Sequence, residues 1–588
     1  MTSLPHRVFR GGLALLSGLA AGAGLQAHHD TAPLRPEEVR MADGSVTVAG
    51  PVGNHAHVRL LLRDAATQAP VAGLIRVTPC AESATPLQLA GLFERPAGWF
   101  SMPAEATLAL PPGRHLIEAT CGIDTLIAVK EVECLPGGAI SLTLAPERFH
   151  DLQAGGWQAV NTHLHLLLRS HLKMGIDLKS RREADDYLGT IGASDRLDLV
   201  YVTHLYQQGA NEILSNDYTE SDLAELSRGP ARLAGGLEHR HGGVRIQTGP
   251  PTAGPPATTG GPVYTQDNSR VAMTYGHVLL LGRFWSDLAA SVGPGLGPDP
   301  AASDGVPLRT AMRVTQERAG AVVWCHGSFG LEWIPSWFSG ALHAQNIYDG
   351  GSEGTFETVH YPLLNAGLRV PFSAGTDWGV WDFARVYVAS PQPLDHAGFL
   401  RELTAGRTYI TNEPLLEFSV QGTAPGSTIA VTPPGTLRIR GRALGRSDFI
   451  RLQVVHNGRV VQEAACRPAG RHYAAEIDFS LEVTEPGWLA LRVAPEMPYS
   501  IRSRYTGRGV NILGKAIFAH TSPVYVTVAG RSAADPAAVA QLLARLDAAL
   551  RSVDELGSFR DPAERESLRR VYLEAMTALR AQPAVISR

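Results

Sequence analysis

Histidine, glutamate and aspartate recur in this chain where apolar runs end. Residues 157–165 read WQAVNTHLH, 198–204 read DLVYVTH and 233–238 read LAGGLE. Further on, 271–277 read VAMTYGH, 321–327 read AVVWCHG and 370–379 read VPFSAGTDWG. His163 and His165, two apart on a strand, face the same side and can bind one ion together. Glu238 can bridge two ions because a carboxylate offers two oxygens. His204, His277 and His326 supply imidazoles for a second ion, and Asp377 closes the first site with a hard oxygen. Mixed nitrogen and oxygen donors suit zinc, manganese or iron better than calcium. Two ions about 4 Å apart would acidify a shared water and stabilise a developing oxyanion.

His-x-His alone carries little weight. His55 and His57 share the spacing with no ordered series behind them, and read as surface residues. His239 and His241 flank Glu238, and His241 is carried as an additional candidate ligand. His343 and His360 read as ordinary polar residues. Cys325 reads as a buried thiol, too close to His326 along one strand for both to face a site. Other chemistries find no support: there is no Gly-x-Ser-x-Gly elbow with its triad partners and no Walker loop.

The elements that must place these ligands follow from the pattern. From 151 to 414, apolar strand-like runs alternate with helix-like stretches at 180–190, 219–227, 306–318 and 396–405, which is α/β organisation. In a barrel of parallel strands, all the C-terminal ends point to one mouth, where six such ligands would meet. The Gly/Pro/Thr stretch 249–262 reads as a loop near that mouth. Residues 28–150 and 415–530 show short alternating runs broken by turns, each a β-sandwich. In the tail, 531–588, Asp535-Pro536 and Asp561-Pro562 each offer an N-cap with proline at the first helical position.

Composition bounds the rest. The 588 residues carry a net charge of -4, which gives no electrostatic footprint for nucleic acid, and 44% are hydrophobic. Residues 1–27 combine Arg7 and Arg10 with a short apolar run and a small-residue exit, the pattern of a secretory signal peptide. A periplasmic or secreted protein with no membrane span in its mature chain is expected. In that compartment one disulfide among Cys80, Cys121 and Cys134 would fit.

The order His163-x-His165, His171, Thr203-His204, Glu238, Gly276-His277, His326 and Gly375-Thr376-Asp377 resembles the polymerase-and-histidinol-phosphatase (PHP) metallohydrolase superfamily. The segments AGRTYITNEPLLEF (405–418) and YPLLNAGLRVPFSAGTDWG (361–379) are similar to its CehA/McbA branch, known for hydrolysing carbamate insecticides such as carbaryl. The resemblance implies an α/β fold: a distorted (β/α) barrel of PHP type, flanked here by two β-sandwich domains and a C-terminal helical tail. It implies a first ion on His163, His165, Glu238 and Asp377, and a second on His204, Glu238, His277 and His326. His171 falls where many members hold a third ion. Those members continue Asp-x-His, whereas Asp377 is followed by Trp378 and Gly379, so two divalent ions are expected, with zinc favoured over manganese or iron. The second motif usually reads Thr-Asp-His, and Thr203-His204 lacks its Asp. The implied activity is hydrolysis of small carbamate or aryl esters, with Asp377 and Glu238 as catalytic residues. Arg407 and Asn412 would order the mouth or the junction with the next domain. Trp324, Trp333, Trp337, Trp378 and Trp381 would either wall an aryl pocket or pack the core. A PHP-type phosphoesterase is the alternative; near the ligands only Arg169, Arg240 and Arg283 offer cationic clamps. A non-catalytic exported binding protein with a structural metal is the alternative of another class.

Overall fold

The computed structural model describes residues 54–581 apart from 153, 169–176, 179, 208–217, 228–231, 241–243, 248–269, 274, 284–294, 297–306, 350–353, 391–392 and 433–434. The expected signal peptide and the 249–262 loop lie outside the described residues, as do His171 and His241.

The N-terminal unit pairs a three-stranded sheet, ordered Glu105–Leu110, Ala56–Leu62, Ala139–Leu144, with a five-stranded sheet built around Gly73–Pro79 and Gly113–Thr120. Alternating residues of both, among them Val58, Leu60, Leu108, Val77 and Ile117, fill one core. The expected disulfide is not formed: Cys80, Cys121 and Cys134 are all free thiols. Cys80 is exposed at a strand end, Cys134 is buried in the sandwich, and Cys121 donates its S–H to the Ala72 carbonyl at 3.0 Å.

Eight short strands position the ligand candidates: β1 (Trp157–His165), β2 (Leu199–Gln207), β3 (Arg232–Arg240), β4 (His277–Leu281), β5 (Ala321–Trp324), β6 (Ala344–Asn346), β7 (Phe372–Ser373) and β8 (Asp377–Trp378). They pair in sequence order from β1 to β7. β1, β2 and β3 run parallel, as do β5, β6 and β7. β7 pairs with β6 and β8 pairs with β1, so the segment 372–378 joins the two ends of the run. Within that segment the Ala374 carbonyl accepts from Thr162 N at 3.4 Å, and Thr376 N donates to His163 O at 3.0 Å.

One expectation about these strands is corrected. The apolar run before His277 is not a strand ending at the mouth. Arg270–Met273 instead pairs antiparallel with Val244–Gln247, apart from the main sheet. His277 begins β4, which runs antiparallel to both β3 and β5. Reversing a strand exchanges its ends, so the start of β4 meets the rim formed by the ends of its neighbours.

The boundary expected at 414/415 does not divide the sheet. The first half of β1 pairs with Arg385–Ala389, which pairs with Thr408–Thr411, which pairs with Ala519–Thr521. Through these ladders the ligand strands and one face of the C-terminal β-unit form a single 16-stranded sheet. The other face is a four-stranded sheet, Leu415–Val420, Gly435–Gly445, His472–Val483 and Arg467–Ala469, and Ile439, Ala443, Ile477, Leu489 and Leu491 share the core between them.

The tail helices Pro536–Leu556 and Pro562–Arg580 begin on side-chain caps. Asp535 accepts from Ala537 N, and Asp561 accepts from Glu564 N, both at 2.9 Å. Their apolar faces, with Leu542, Leu546, Leu568, Tyr572 and Leu579, belong to the same core as Trp333 and Ile334 of helix Trp333–Phe338. The tail is therefore packed into the α/β unit.

Candidate metal centre

His163 and His165 lie in the second half of β1, where both are buried. Beside them, in parallel register, Asp377 pairs with Leu164 and Trp378 with His165. Donor atoms of His163, His165 and Asp377 fall within 4.8 Å of one another, and so do those of His163, Cys325 and His326. His277 joins them through its ring, 4.9 Å from that of His326. The rim thus gathers His163 and His165 from β1, His277 from β4, Asp377 from β8 and His326 from the turn after β5.

What aims these rings is a set of oxygens behind them. His163 Nδ1 lies 3.1 Å from Asp349 Oδ2, His165 Nδ1 lies 2.8 Å from the Thr203 carbonyl, and His326 Nδ1 lies 3.1 Å from the Asp349 carbonyl. A carbonyl only accepts, so His165 and His326 must carry the proton on Nδ1. Burial alone would raise the Asp349 carboxyl, but its electrostatic and hydrogen-bond contacts with His326 and His163 outweigh it and hold it well below the usual carboxylate range. An ionised Asp349 likewise accepts, which puts the His163 proton on Nδ1. All three Nε2 lone pairs then point inward. His163 Nε2 and His165 Nε2 stand 3.0 Å apart, and each is 3.6 Å from Asp377 Oδ1. His326 Nε2 is 3.9 Å from Asp377 Oδ2. Two imidazole lone pairs at 3.0 Å beside a carboxylate repel one another unless a cation or proton lies between them. This donor set therefore fits a divalent cation, with the outward oxygens fixing tautomer and orientation.

The backbone is bent to make this arrangement. His326, Tyr348 and Asp377 adopt φ of 58°, 62° and 63°. Left-handed geometry costs an L-residue roughly 1–2 kcal/mol, and strain of this kind persists where the surroundings over-determine it. At His326 it has a direct consequence. In a regular strand, neighbours alternate faces, which is why Cys325 was expected to point away from a site holding His326. The left-handed turn breaks the alternation, and Cys325 Sγ and the His326 imidazole both reach His163.

Sequence reasoning missed Asp349. Its Oδ1 accepts from His326 N at 2.9 Å, its Oδ2 from Asn346 Nδ2 at 3.1 Å, and it is fully buried. The signal was present: β6 ends in Asn346 and is followed by Ile347-Tyr348-Asp349-Gly350-Gly351, the same passage from apolar run to acid to glycine. Asn161 was also missed. It accepts from His163 N at 3.1 Å and donates to Thr376 Oγ1 at 2.8 Å, tying β1 to the residue before Asp377.

The remaining candidates separate. His204 is half-buried on β2 and stands outside both donor groups. Glu238 sits on β3 opposite Leu205 and Leu279, and its side chain lies outside the described residues. The Arg169 and Arg240 side chains do too. His57 is exposed, and His343 accepts from Val322 N at 2.9 Å. Trp333 and Trp337 both donate to Gln345 Oε1, at 2.9 and 2.8 Å, and pack the core. Trp378 flanks the centre, its ring 4.9 Å from that of His165, and Phe329 meets His277 edge-on at 5.1 Å.

No protein-family model matches the chain, and no curated protein matches it. Among solved structures, Bacteroides uniformis beta-glucuronidase 2 covalently bound to cyclophellitol-6-carboxylate aziridine aligns at 10% identity over 80% of this chain and 59% of its own, with a TM-score of 0.18. A second Bacteroides uniformis beta-glucuronidase structure aligns over the same shares at 10% identity and a TM-score of 0.14. The chain spans 59% of the length of each, and at these scores neither alignment describes a shared fold.

Proposed function

We propose that this chain is an exported, metal-dependent hydrolase of ester-like bonds, with small carbamate or aryl esters as its substrates, built on a PHP-type barrel. The observation that carries the reading is the common orientation of His163, His165 and His326. Each is held by an oxygen on its Nδ1 and turns its Nε2 toward Asp377.

In this reading His163, His165, Glu238 and Asp377 would hold a first divalent ion, and His204, Glu238, His277 and His326 would hold a second. A bound divalent ion lowers the pKa of water and polarises a carbonyl. The protein residues do the rest. Asp349 and the Thr203 carbonyl fix the orientation of the imidazoles through their Nδ1 atoms. Asp377, beside the reacting atoms, accepts the proton released as water attacks. Trp378 and Phe329 provide apolar walls against which an aromatic leaving group can lie. A phenol, with a pKa of about 10, departs with less protonation than an alkoxide would need.

The test is metal analysis of the purified protein together with turnover of 4-nitrophenyl esters, N-methylcarbamates and phosphates. Bound zinc or manganese is expected, with ester and carbamate turnover abolished by chelation and restored by added metal. Undiminished turnover by metal-free protein would overturn the reading, and turnover confined to phosphates would replace it with a phosphoesterase.

A further inference from the structure

Asp377 is held on one side by its pairing with β1, and the residues that follow it are held by Asn412 and by Tyr499 and Asn511 of the C-terminal β-unit. Five residues after Asp377, the Asp382 carboxylate is fully buried and accepts three hydrogen bonds: from Asn412 Nδ2 at 2.9 Å, Tyr499 Oη at 2.6 Å and Asn511 Nδ2 at 2.7 Å. The two amide donors are themselves fixed. Asn412 Oδ1 accepts from Phe518 N at 2.8 Å and its Nδ2 also reaches the Ala516 carbonyl at 2.8 Å, while Asn511 Oδ1 accepts from Leu513 N and Lys515 N. The next residue back, Trp381, donates Nε1 to the Thr376 carbonyl at 2.5 Å, the peptide that leads into Asp377. Its ring lies 4.6 Å from Lys515 Nζ and 5.4 Å from the Tyr499 ring. Tyr499 also contacts the Tyr348 ring at 5.1 Å, beside Asp349.

We propose that Asp382 is a positioning residue through which the C-terminal β-unit sets the backbone of Asp377, so that the metal centre is complete only with that unit in place. Three donors on one carboxylate leave the loop 376–382 no freedom to slide, and Trp381 carries that restraint to the Thr376 peptide. A carboxylate also suits all three partners: an amide in its place would turn an N–H₂ toward the Nδ2 group of either Asn412 or Asn511, which only donates. The inference rests on the metal reading above and gives Asn412, in the 405–418 segment, a role in holding the centre.

Cobalt(II) binding tests it, read by affinity and by the visible ligand-field spectrum, which responds to ligand placement and not to overall stability. For Asp382→Asn, affinity is expected to fall about 10-fold or more, as is usual when the groups behind a ligand are changed, with an altered spectrum. Tyr499→Phe keeps the ring and removes one donor, and should shift both in the same direction by less. It decides the matter if Asp382→Asn does not fold. Ile439→Val, a fully buried change in the facing sheet, should lower the melting temperature and leave the spectrum unchanged. Wild-type affinity and spectrum in the Asp382 and Tyr499 variants, or the same spectral change in Ile439→Val, would overturn the positioning role alone. Failure of the wild-type protein to take up cobalt would overturn it together with the metal reading.

Discussion

Three histidines at the rim donate Nδ1–H to oxygens and turn Nε2 toward one carboxylate, and Asp349 serves two of them. It holds the His163 ring by its carboxylate and the His326 ring by its carbonyl, and the carboxylate also accepts from His326 N. Asp349→Asn keeps the shape but offers His163 an amide, which accepts less strongly and can present N–H₂ instead, freeing the ring to take the other tautomer. Metal affinity is expected to drop by roughly 10- to 100-fold, as for other groups behind metal-binding histidines, while the fold is retained. A competition titration against a chelator, run beside a thermal melt, measures both. The residues gathered at the rim were legible in the sequence because their types announce the chemistry: His163, His165, His277, His326 and Asp377 all reach it. Asp349 was not picked out, although its segment follows the same pattern, because one acid among 56 Asp and Glu carries no mark of its neighbours. Cys325 was dismissed by applying strand alternation at a residue where the backbone leaves the strand.

At the scale of elements, the close approach of 372–378 to β1 is what makes a centre out of separate strands, and Gly375 sets the distance. A Cβ there would stand 2.4 Å from His163 Cβ and 2.6 Å from His163 N, contacts that require backbone movement. Gly375→Ala is therefore expected to push Asp377 away from the histidines and to destabilise the protein by about 1–3 kcal/mol, the usual cost of overpacking. Equilibrium unfolding in urea and metal content together check this, and a variant with wild-type stability and full metal content would contradict it. Helices at 181–194, 220–226, 308–317 and 396–404 and the capped tail lie where their patterns put them, since amphipathic spacing and Asp-Pro caps are local properties. The reversal of β4 and the merging of two expected domains into one sheet were invisible. Both depend on which strands pair across long separations, and the residues of β4, HVLLL, read the same in either direction of travel.

For the whole molecule, the tail helices close over the α/β core, and the join contains an acid that burial has made unusual. Glu332 immediately precedes helix Trp333–Phe338 and is fully buried, with the Tyr572 and Tyr275 hydroxyls among the groups it influences. Burial pushes its carboxyl up to about 8, against the pull of the Leu308 and Arg309 peptides and the Arg309 guanidinium. The sign follows from linkage. The folded value lies above the unfolded one, so folding favours the protonated form. The stabilisation is fully present below the unfolded value of about 4.5 and is lost as pH rises through about 8, with no further change above. Across that window the loss amounts to a few kcal/mol, since each tenfold change in proton affinity corresponds to about 1.4 kcal/mol. Glu332→Gln keeps the volume and removes the titration. Between pH 5 and pH 8 the unfolding free energy of the wild-type protein should therefore fall relative to that of the variant, and the two curves should run parallel above about pH 9. A constant difference across the whole range would show that the acid is ionised in the folded core. Because the tail shares that core, the loss should appear in the cooperative unfolding of the α/β unit rather than as fraying of the last two helices.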